Sequence, residues 1–425
     1  MNNIKNRFKS QTLTNIDTSV KADVPLFILA SLLIIVSILF SYSLSVYTVV
    51  YYDYSQYHFF MRQFIVGTFS ILLMWYMATI PADKLVGKVG WALFFGFLFL
   101  MVVMPFLPAS LVTASGGANR WIRLPGFSIS PVEFFKIGFI YFLAWSFYRK
   151  LLDQPRKMKL KDETLLVLPY FGVFFVAVFF IAYMQKDLGN VVLLFTILMT
   201  MFIFANRSLK LFLPIIGLAL LGLIGLILVA PHRINRILQW WGSVQDGMLS
   251  FMPEFVSSAI RVKDFPEPYQ VAHSLNAIHN GGFFGTGIGE GNLKLGFLTE
   301  VHTDFVLAGI TEEWGLVGLV FVLFLLLGVL WRIFKISNRV VNPIYHLFTL
   351  GIALMIIVAF LINSYGISGM IPIKGIAVPF LSYGGSSLLS MAISVGLVLS
   401  ISKEINENKK QNEEIEFEEP NTLSK

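Results

Sequence analysis

Residues 288–315 read IGEGNLKLGFLTEVHTDFVLAGITEEWG. A glycine-rich polar loop runs into His302-Thr303-Asp304, then into an apolar run that still carries Glu312 and Glu313. Charges beside and inside a membrane-spanning stretch are expensive, so their default reading is functional. The rest of the chain reads as the scaffold that places this loop at a membrane face.

Composition sets the class. The chain has 425 residues, of which 56% are hydrophobic and 13% charged. Its mean hydropathy is +0.73. Soluble domains carry about 25% charge, so this is an all-α polytopic membrane protein. There is no cysteine, which excludes disulfides, thiol nucleophiles and thiolate metal sites. The formal charge of +7 invites a nucleic-acid reading. The basic residues are instead scattered over short loops between apolar runs, where they read as topology signals. The polar start, 1–23, is too far from a hydrophobic core to be a cleavable signal, so the first span reads as an uncleaved anchor.

About ten apolar stretches are long enough to span, at roughly 20 residues each. Their approximate limits are 24–44, 60–80, 89–109, 130–147, 165–184, 188–205, 209–230, 304–330, 344–363 and 379–401. The membrane part is then 24–402, and its large extracytoplasmic loop is 231–301, between the seventh and eighth spans. With the N-terminus in the cytoplasm, Lys5, Arg7, Lys9, Lys84, Lys88, Arg149, Lys150, Arg156, Lys157, Arg207, Arg332 and Lys335 all lie inside. The short outer loops hold only Arg120, Arg123, Lys186 and Lys374. That asymmetry obeys the positive-inside rule and puts both termini in the cytoplasm. The Glu/Lys-rich tail, 403–425, has few apolar residues and reads as disordered or as a docking segment. Trp240, Trp241, Phe251 and Phe255 in the large loop read either as interfacial anchors touching lipid headgroups or as packing residues.

Three Gly/Pro-rich stretches fall at outer ends, at 114–134, 280–291 and 372–387. Irregular backbone near membrane depth is tolerated only when buried in protein or lining a wet cavity, so they point to one outward-facing cavity. Asp304 stands where the eighth span begins. Partial desolvation there would raise its pKa toward that of a general base; a helix-capping role explains the same position. Glu312 and Glu313 lie about two turns deeper, free to pair with a cation from another span or to bind a proton. Glu133 and Lys136 share one helix face and read as a salt bridge. Arg120, Arg123, Arg233 and Arg236, with Arg261 and Lys263, make a basic mouth that suits an anionic headgroup such as a diphosphate. His273 and His279 show no metal-ligand spacing.

Three stretches carry a family signature: NRWIRLPGFSISPVEFFKI (119–137), SLNAIHNGGFFGTGIGEGNLKLGFLTEVHTDFVLAGITEEWGLVG (274–318) and IPIKGIAVPFLSYGGSSL (371–388). They resemble the SEDS family (shape, elongation, division and sporulation), over about 24–402. GEGNLKLG and Lys374-Gly375 look more like its cell-division members than its rod-shape members. The resemblance implies a glycosyltransferase that polymerises lipid II on the outer face of the bacterial cytoplasmic membrane. It also implies a class B penicillin-binding protein as partner, with other cell-division membrane proteins and the lipid bilayer, and no nucleic acid.

The Asp of the family's His-Thr-Asp-Phe motif, Asp304 here, is then the catalytic candidate. Arg120, Arg123, Arg233, Arg236, Lys374 and Ser386 are substrate-binding candidates. Glu133, Lys136, Asp187, Glu300, His302, Thr303, Glu312 and Glu313 are supporting ones. A divalent cation, Mg or Mn, is compatible, with no ligands to name. The family's Gln-Pro-Asp turn here is Gln185-Lys186-Asp187, and its Leu-Pro-Glu is Leu298-Thr299-Glu300. Losing both prolines loosens the backbone locally. The competing functions are a flippase for the same lipid precursor and a non-catalytic scaffold for the transpeptidase.

Overall fold

The computed structural model describes residues 22–422, apart from 109, 116–117, 125–126, 152–158, 206–208, 229–230, 263–268, 299 and 373–374. Helices dominate. In order they are α1 (Val24–Ser43), a short α2 (Val46–Tyr51), α3 (His58–Thr79), α4 (Ala82–Val103), α5 (Pro131–Lys150), α6 (Leu160–Val178), α7 (Leu188–Phe204), α8 (Leu209–Leu228), α9 (Pro231–Leu249), α10 (Glu254–Ile260), α11 (Tyr269–Gly281), α12 (Val306–Ser337), α13 (Pro343–Ile367) and α14 (Gly385–Thr422). Between α4 and α5 lies a small antiparallel sheet, β1 (Val112–Ser115), β2 (Ala118–Leu124) and β3 (Phe127–Ile129), in that order. The register pairs Ile122 with Val112 on one side and with Ile129 on the other. The sequence had marked this stretch only as irregular.

The chain is a polytopic helical membrane protein. Helices occupy all ten expected stretches, and among the described residues seven are long and apolar enough to cross a membrane. An eighth is added if Pro214–Leu228 and Arg233–Leu249, bent by 104°, count as one span. α7 is a shorter apolar helix. α5 carries Glu133, Lys136, Arg149 and Lys150, so its hydropathy is low although most of it is buried. The 231–301 segment expected to be a large loop carries the helices α9, α10 and α11. The tail expected to lack structure continues α14 to Thr422; Glu, Lys and Gln are good helix formers.

Local signals set the ends of the spans. Asp23 caps α1, its Oδ1 accepting from Leu26 N at 3.0 Å. It also takes a bidentate ion pair from Arg332 near the C-terminal end of α12. Its own N–H donates to Ser402 Oγ at 2.9 Å. The start of α1 and the 402 region of α14 therefore share one end of the bundle. Within a bilayer, lipid tails are as apolar as the helices, so packing and polar contacts hold spans together. Gln63 of α3 donates to Ser37 of α1 at 2.8 Å, and Ser37 donates to Leu381 O at 2.8 Å.

The long α12 is broken. At 32 residues it would measure about 48 Å, well beyond a hydrocarbon core of about 30 Å. Gly315 takes φ 68°, ψ −166°, a conformation that favours glycine. The backbone groups freed at the break pair with the preceding loop. Leu316 and Val317 N–H donate to Gly282 and Phe283 O; Thr286 and Gly287 N–H donate to Glu312 and Glu313 O, all at 2.9–3.2 Å.

The two glutamates complete this joint. Glu312 Oε1 accepts from Asn292 N at 2.9 Å and Leu293 N at 3.1 Å. Glu313 pairs with Lys294 at 2.6 Å, and Ser43 Oγ donates to its Oε2 at 2.7 Å. Glu313 and Lys294 are almost wholly enclosed. Removing one partner of such a pair leaves a buried uncompensated charge. Lys294→Met should cost about 3–5 kcal/mol, while Lys294→Met combined with Glu313→Leu should recover most of it. Thermal unfolding of the purified variants in detergent checks this; equal loss in the single and the double variant would refute the pairing.

Candidate functional site

The turn 300–305 sits just outside α12, on the far side of the bundle from Asp23. Glu300 starts it: Thr303 and Phe305 N–H both donate to Glu300 O, at 3.2 and 3.3 Å. Thr303 Oγ1 donates to the Glu300 carboxylate at 2.9 Å. The turn is then pinned from outside. Tyr383 N–H donates to His302 O at 2.8 Å, and Ser382 Oγ donates to Thr303 O at 2.7 Å. Asn363, near the C-terminal end of α13, donates through Nδ2 to both Asp304 O (2.7 Å) and Ile376 O (2.8 Å). One amide thus ties the Asp304 turn to the loop at 375–376.

That loop brings its backbone against the carboxylate. Gly375 has φ +62°, and a Cβ there would stand 3.1 Å from Asp304 Oδ2. The position needs glycine both for its backbone and for this approach. Asp304 is half-buried. Among the described residues no hydrogen bond reaches its carboxylate.

Burial pushes the Asp304 carboxyl up to about 6, and the negative charges of Glu300 and Asp187 push the same way. Arg120 and Arg236 act against them. Loss of solvation is the largest of these influences, because it disfavours the charged form. His302 is pushed down by its burial, with Glu300 opposing. Its ring packs edge-on against Phe59, and its Nδ1 has no partner.

Arg120 rises from β2 and is half-buried. It donates to Gln185 O (3.3 Å) and Lys186 O (3.0 Å), with Asp187 3.9 Å away. Asp187 caps α7, accepting from Asn190 N at 3.1 Å and Asn190 Nδ2 at 3.0 Å. Lys186 takes φ 54°. Proline is locked near −65° and could not adopt it, so this turn is reshaped rather than merely loosened.

The other candidates separate. Arg236 acts electrostatically on Asp304 and is exposed. Arg233 donates to Leu226 O (2.6 Å) and Ala182 O (2.8 Å), which makes it a tie between helix ends. Arg261 pairs with Asp246 at 2.9 Å. Arg123 is exposed on β2. Ser386 Oγ accepts from Ser130 N (2.9 Å) and donates to Ser128 O (3.1 Å), joining α14 to the sheet and the start of α5. Lys136 pairs with Glu133 at 2.9 Å. Glu312 and Glu313 hold the loop, as described above. Lys374, Lys263 and Thr299 lie outside the described residues. Among the described residues no three His, Asp or Glu side chains come together as a metal site would require.

Residues 24–407 match the family model FTSW_RODA_SPOVE, described as cell cycle protein. The chain is 46% identical over 381 residues to a probable peptidoglycan glycosyltransferase FtsW of Helicobacter pylori, covering 89% of this chain and 97% of that one. It is 31% identical over 383 residues to stage V sporulation protein E of Bacillus subtilis, covering 90% and 97%. In fold it is similar to a chain in a solved peptidoglycan synthase complex (TM-score 0.64, 21% identity, 90% of this chain and 98% of that one). It is also similar in fold to the rod shape determining protein RodA of Thermus thermophilus (TM-score 0.57, 20% identity, 90% and 97%).

The geometry makes Asp304 a carboxyl that changes charge near neutrality. Infrared titration of the protonated-carboxyl band, with Asp304→Asn as the subtraction control, should show a group half-ionised at about pH 6. A midpoint near pH 4 would mean that the carboxylate is solvated.

Proposed function

We infer that this chain, which belongs to the FtsW, RodA and SpoVE family of cell cycle proteins, polymerises peptidoglycan with Asp304 as its general base. It is a multi-pass inner-membrane glycosyltransferase of cell-wall synthesis, on the FtsW side of the family. Its donor and acceptor are lipid II, a disaccharide-pentapeptide on undecaprenyl diphosphate. The Asp304 turn faces the outside of the cell, both termini lie in the cytoplasm, and the helices in the ten apolar stretches are all spans. A class B penicillin-binding protein crosslinks the strands it makes.

The observation that carries this reading is the Asp304 carboxylate. It is half-buried, ringed by backbone ties, and under the influence of two arginines. Asp304 takes the proton from the 4-hydroxyl of the acceptor's GlcNAc as that oxygen attacks the anomeric carbon of the donor. The C–O bond to the diphosphate breaks with inversion, and undecaprenyl diphosphate leaves with the electron pair. One carboxylate base suffices for a single displacement. The charge that develops on the leaving diphosphate needs a cation placed in advance. Arg120 and Arg236 are best placed to supply it, with Arg123 at the rim. Arg233 and Ser386 instead position the backbone around the site. Glu133 and Lys136 brace α5 as an ion pair.

The test is polymerisation of lipid II by the purified protein with its transpeptidase partner. Asp304→Asn should lose about 10²-fold or more in rate, the range of a missing general base. The base works deprotonated and its pKa is raised, so wild-type rate should climb as pH passes upward through about 6 and level off above. An Asp304→Asn protein that folds and polymerises at the wild-type rate removes Asp304 as base. A wild type that moves labelled lipid II across vesicles without making polymer would make the chain a transporter.

A further inference from the structure

The segment joining α1 to α3 is dense in tyrosine: residues 42–60 read YSLSVYTVVYYDYSQYHFF. Its rings make a continuous row. Tyr47 stacks on Tyr51 (5.4 Å between centroids), Tyr51 meets Tyr52 edge-on (4.9 Å), and Tyr52 neighbours Tyr54 (6.1 Å). Tyr54 reaches Phe59 (5.8 Å), and Phe59 packs on both His302 (5.2 Å) and Tyr383 (5.1 Å). These are the separations at which aromatic pairs attract. The row ends on the residues that frame Asp304: His302 is two positions away, and Tyr383 N–H holds the turn. Tyr47 also lies against Gly296 in the loop before that turn.

Tyr47 is half-buried, and from Tyr51 exposure falls toward the turn. Tyr51 is 65% exposed, Tyr52 61% and Tyr54 45%, whereas Phe59 is 8% and His302 7%. α2, which carries Tyr47 and Tyr51, has no buried residue. The outer tyrosines therefore do little for the core. Interfacial tyrosines are common in membrane proteins, but an anchoring belt has no reason to form a connected row that ends at a catalytic turn. Tyrosine supplies rigid, amphipathic contact area at low entropic cost. Its ring face carries partial negative charge, which suits the axial C–H bonds on the flat side of a pyranose. Its hydroxyl suits the equatorial hydroxyls at the rim.

We propose that Tyr47, Tyr51, Tyr52 and Tyr54 form a saccharide platform on which the glycan strand rests as it lengthens away from Asp304. The inference rests on the polymerase reading above. It adds the residues that hold the strand and a cause for strand length. The pyranose rings stack on the exposed tyrosines, and the inner end of the row delivers the reacting sugar to the turn.

The experiment uses the full chain in nanodiscs, wild type against Tyr51→Ala/Tyr52→Ala/Tyr54→Ala. The first readout is binding of a lipid-free MurNAc–GlcNAc octasaccharide, by calorimetry. The second is the length distribution of strands made from lipid II with the transpeptidase partner present. The triple variant should bind the octasaccharide about tenfold more weakly, as loss of a few aromatic contacts implies, and make shorter strands. Its pH profile should match wild type, and Phe at the same three positions should restore binding. Unchanged octasaccharide binding, or no binding by wild type, overturns the platform. A variant altered only in thermal stability or lipid-composition dependence also overturns it, and assigns the tyrosines to the headgroups. The binding readout needs no turnover, so a failed polymerase reading shows separately, as a wild type that makes no strands.

Discussion

The break in α12 is the constraint on which the outer half of the molecule depends. A helix that continued straight through Gly315 would leave the 281–298 loop without partners for its backbone. Exposed polar backbone is not tolerated at membrane depth. The break turns this liability into a joint. Carbonyls of Glu312 and Glu313, and amides of Leu316 and Val317, bond to the loop rather than to their own helix. The first three turns of α12 become a short strut, welded to the loop by hydrogen bonds and by the enclosed Lys294–Glu313 pair. The Asp304 turn sits directly at the start of that strut.

From this joint the site gains rigidity without using its own carboxylate. The turn is held by main-chain carbonyls: His302 O by Tyr383, Thr303 O by Ser382, Asp304 O by Asn363. Positioning through the backbone leaves the side chain free for chemistry. A base must be placed within hydrogen-bond reach of the proton that it abstracts, and supporting bonds to the carboxylate itself would compete with that proton. The two roles first weighed for Asp304, helix start and base, are compatible for this reason. Its backbone serves the start of the helix and its carboxylate remains open.

Composition and apolar run length were enough to establish a polytopic helical protein, and every expected stretch holds a helix. Seven of the expected stretches qualify as spans alone among the described residues; α5 and α7 are packed among neighbours and need not be fully apolar, and α8 qualifies only as part of a bent pair. The sheet at 112–129 was illegible: short strands rich in Gly and Pro on either side read as loop. Asp304 was legible because a charge at a span entry is costly. For Glu312 and Glu313 the sequence left open pairing with a cation or binding a proton; the structure gives each fixed partners, Lys294 and Ser43 for Glu313 and two loop amides for Glu312, and membrane charges can be structural when so paired. Asn363 carried a usable signal, a lone amide in an apolar run, whereas the value of Gly375 appears only once its φ and its neighbour are known. The basic mouth was legible as a charge pattern but not as geometry. Arg233, Arg261 and Arg120 all have partners within the protein; what sets Arg120 apart is that its charge acts on Asp304.

The surviving arginines do two things whose physical effects oppose each other. Arg120 and Arg236 hold the Asp304 carboxyl down against burial and against Glu300 and Asp187, and the balance falls at about 6. On the proposed reading, a donor's diphosphate would bring negative charge to the same arginines and cancel part of their pull. The carboxylate would then feel burial and its acidic neighbours more strongly, and its affinity for a proton would rise. A carboxylate that is ionised before the substrate arrives, yet becomes more basic once the diphosphate is seated, is matched to its task. Proton removal is thereby favoured when a leaving group is present to make it productive. On that reading the arrangement needs no moving part, only a rigid turn, a half-buried carboxyl and two cations shared between the base and the leaving group.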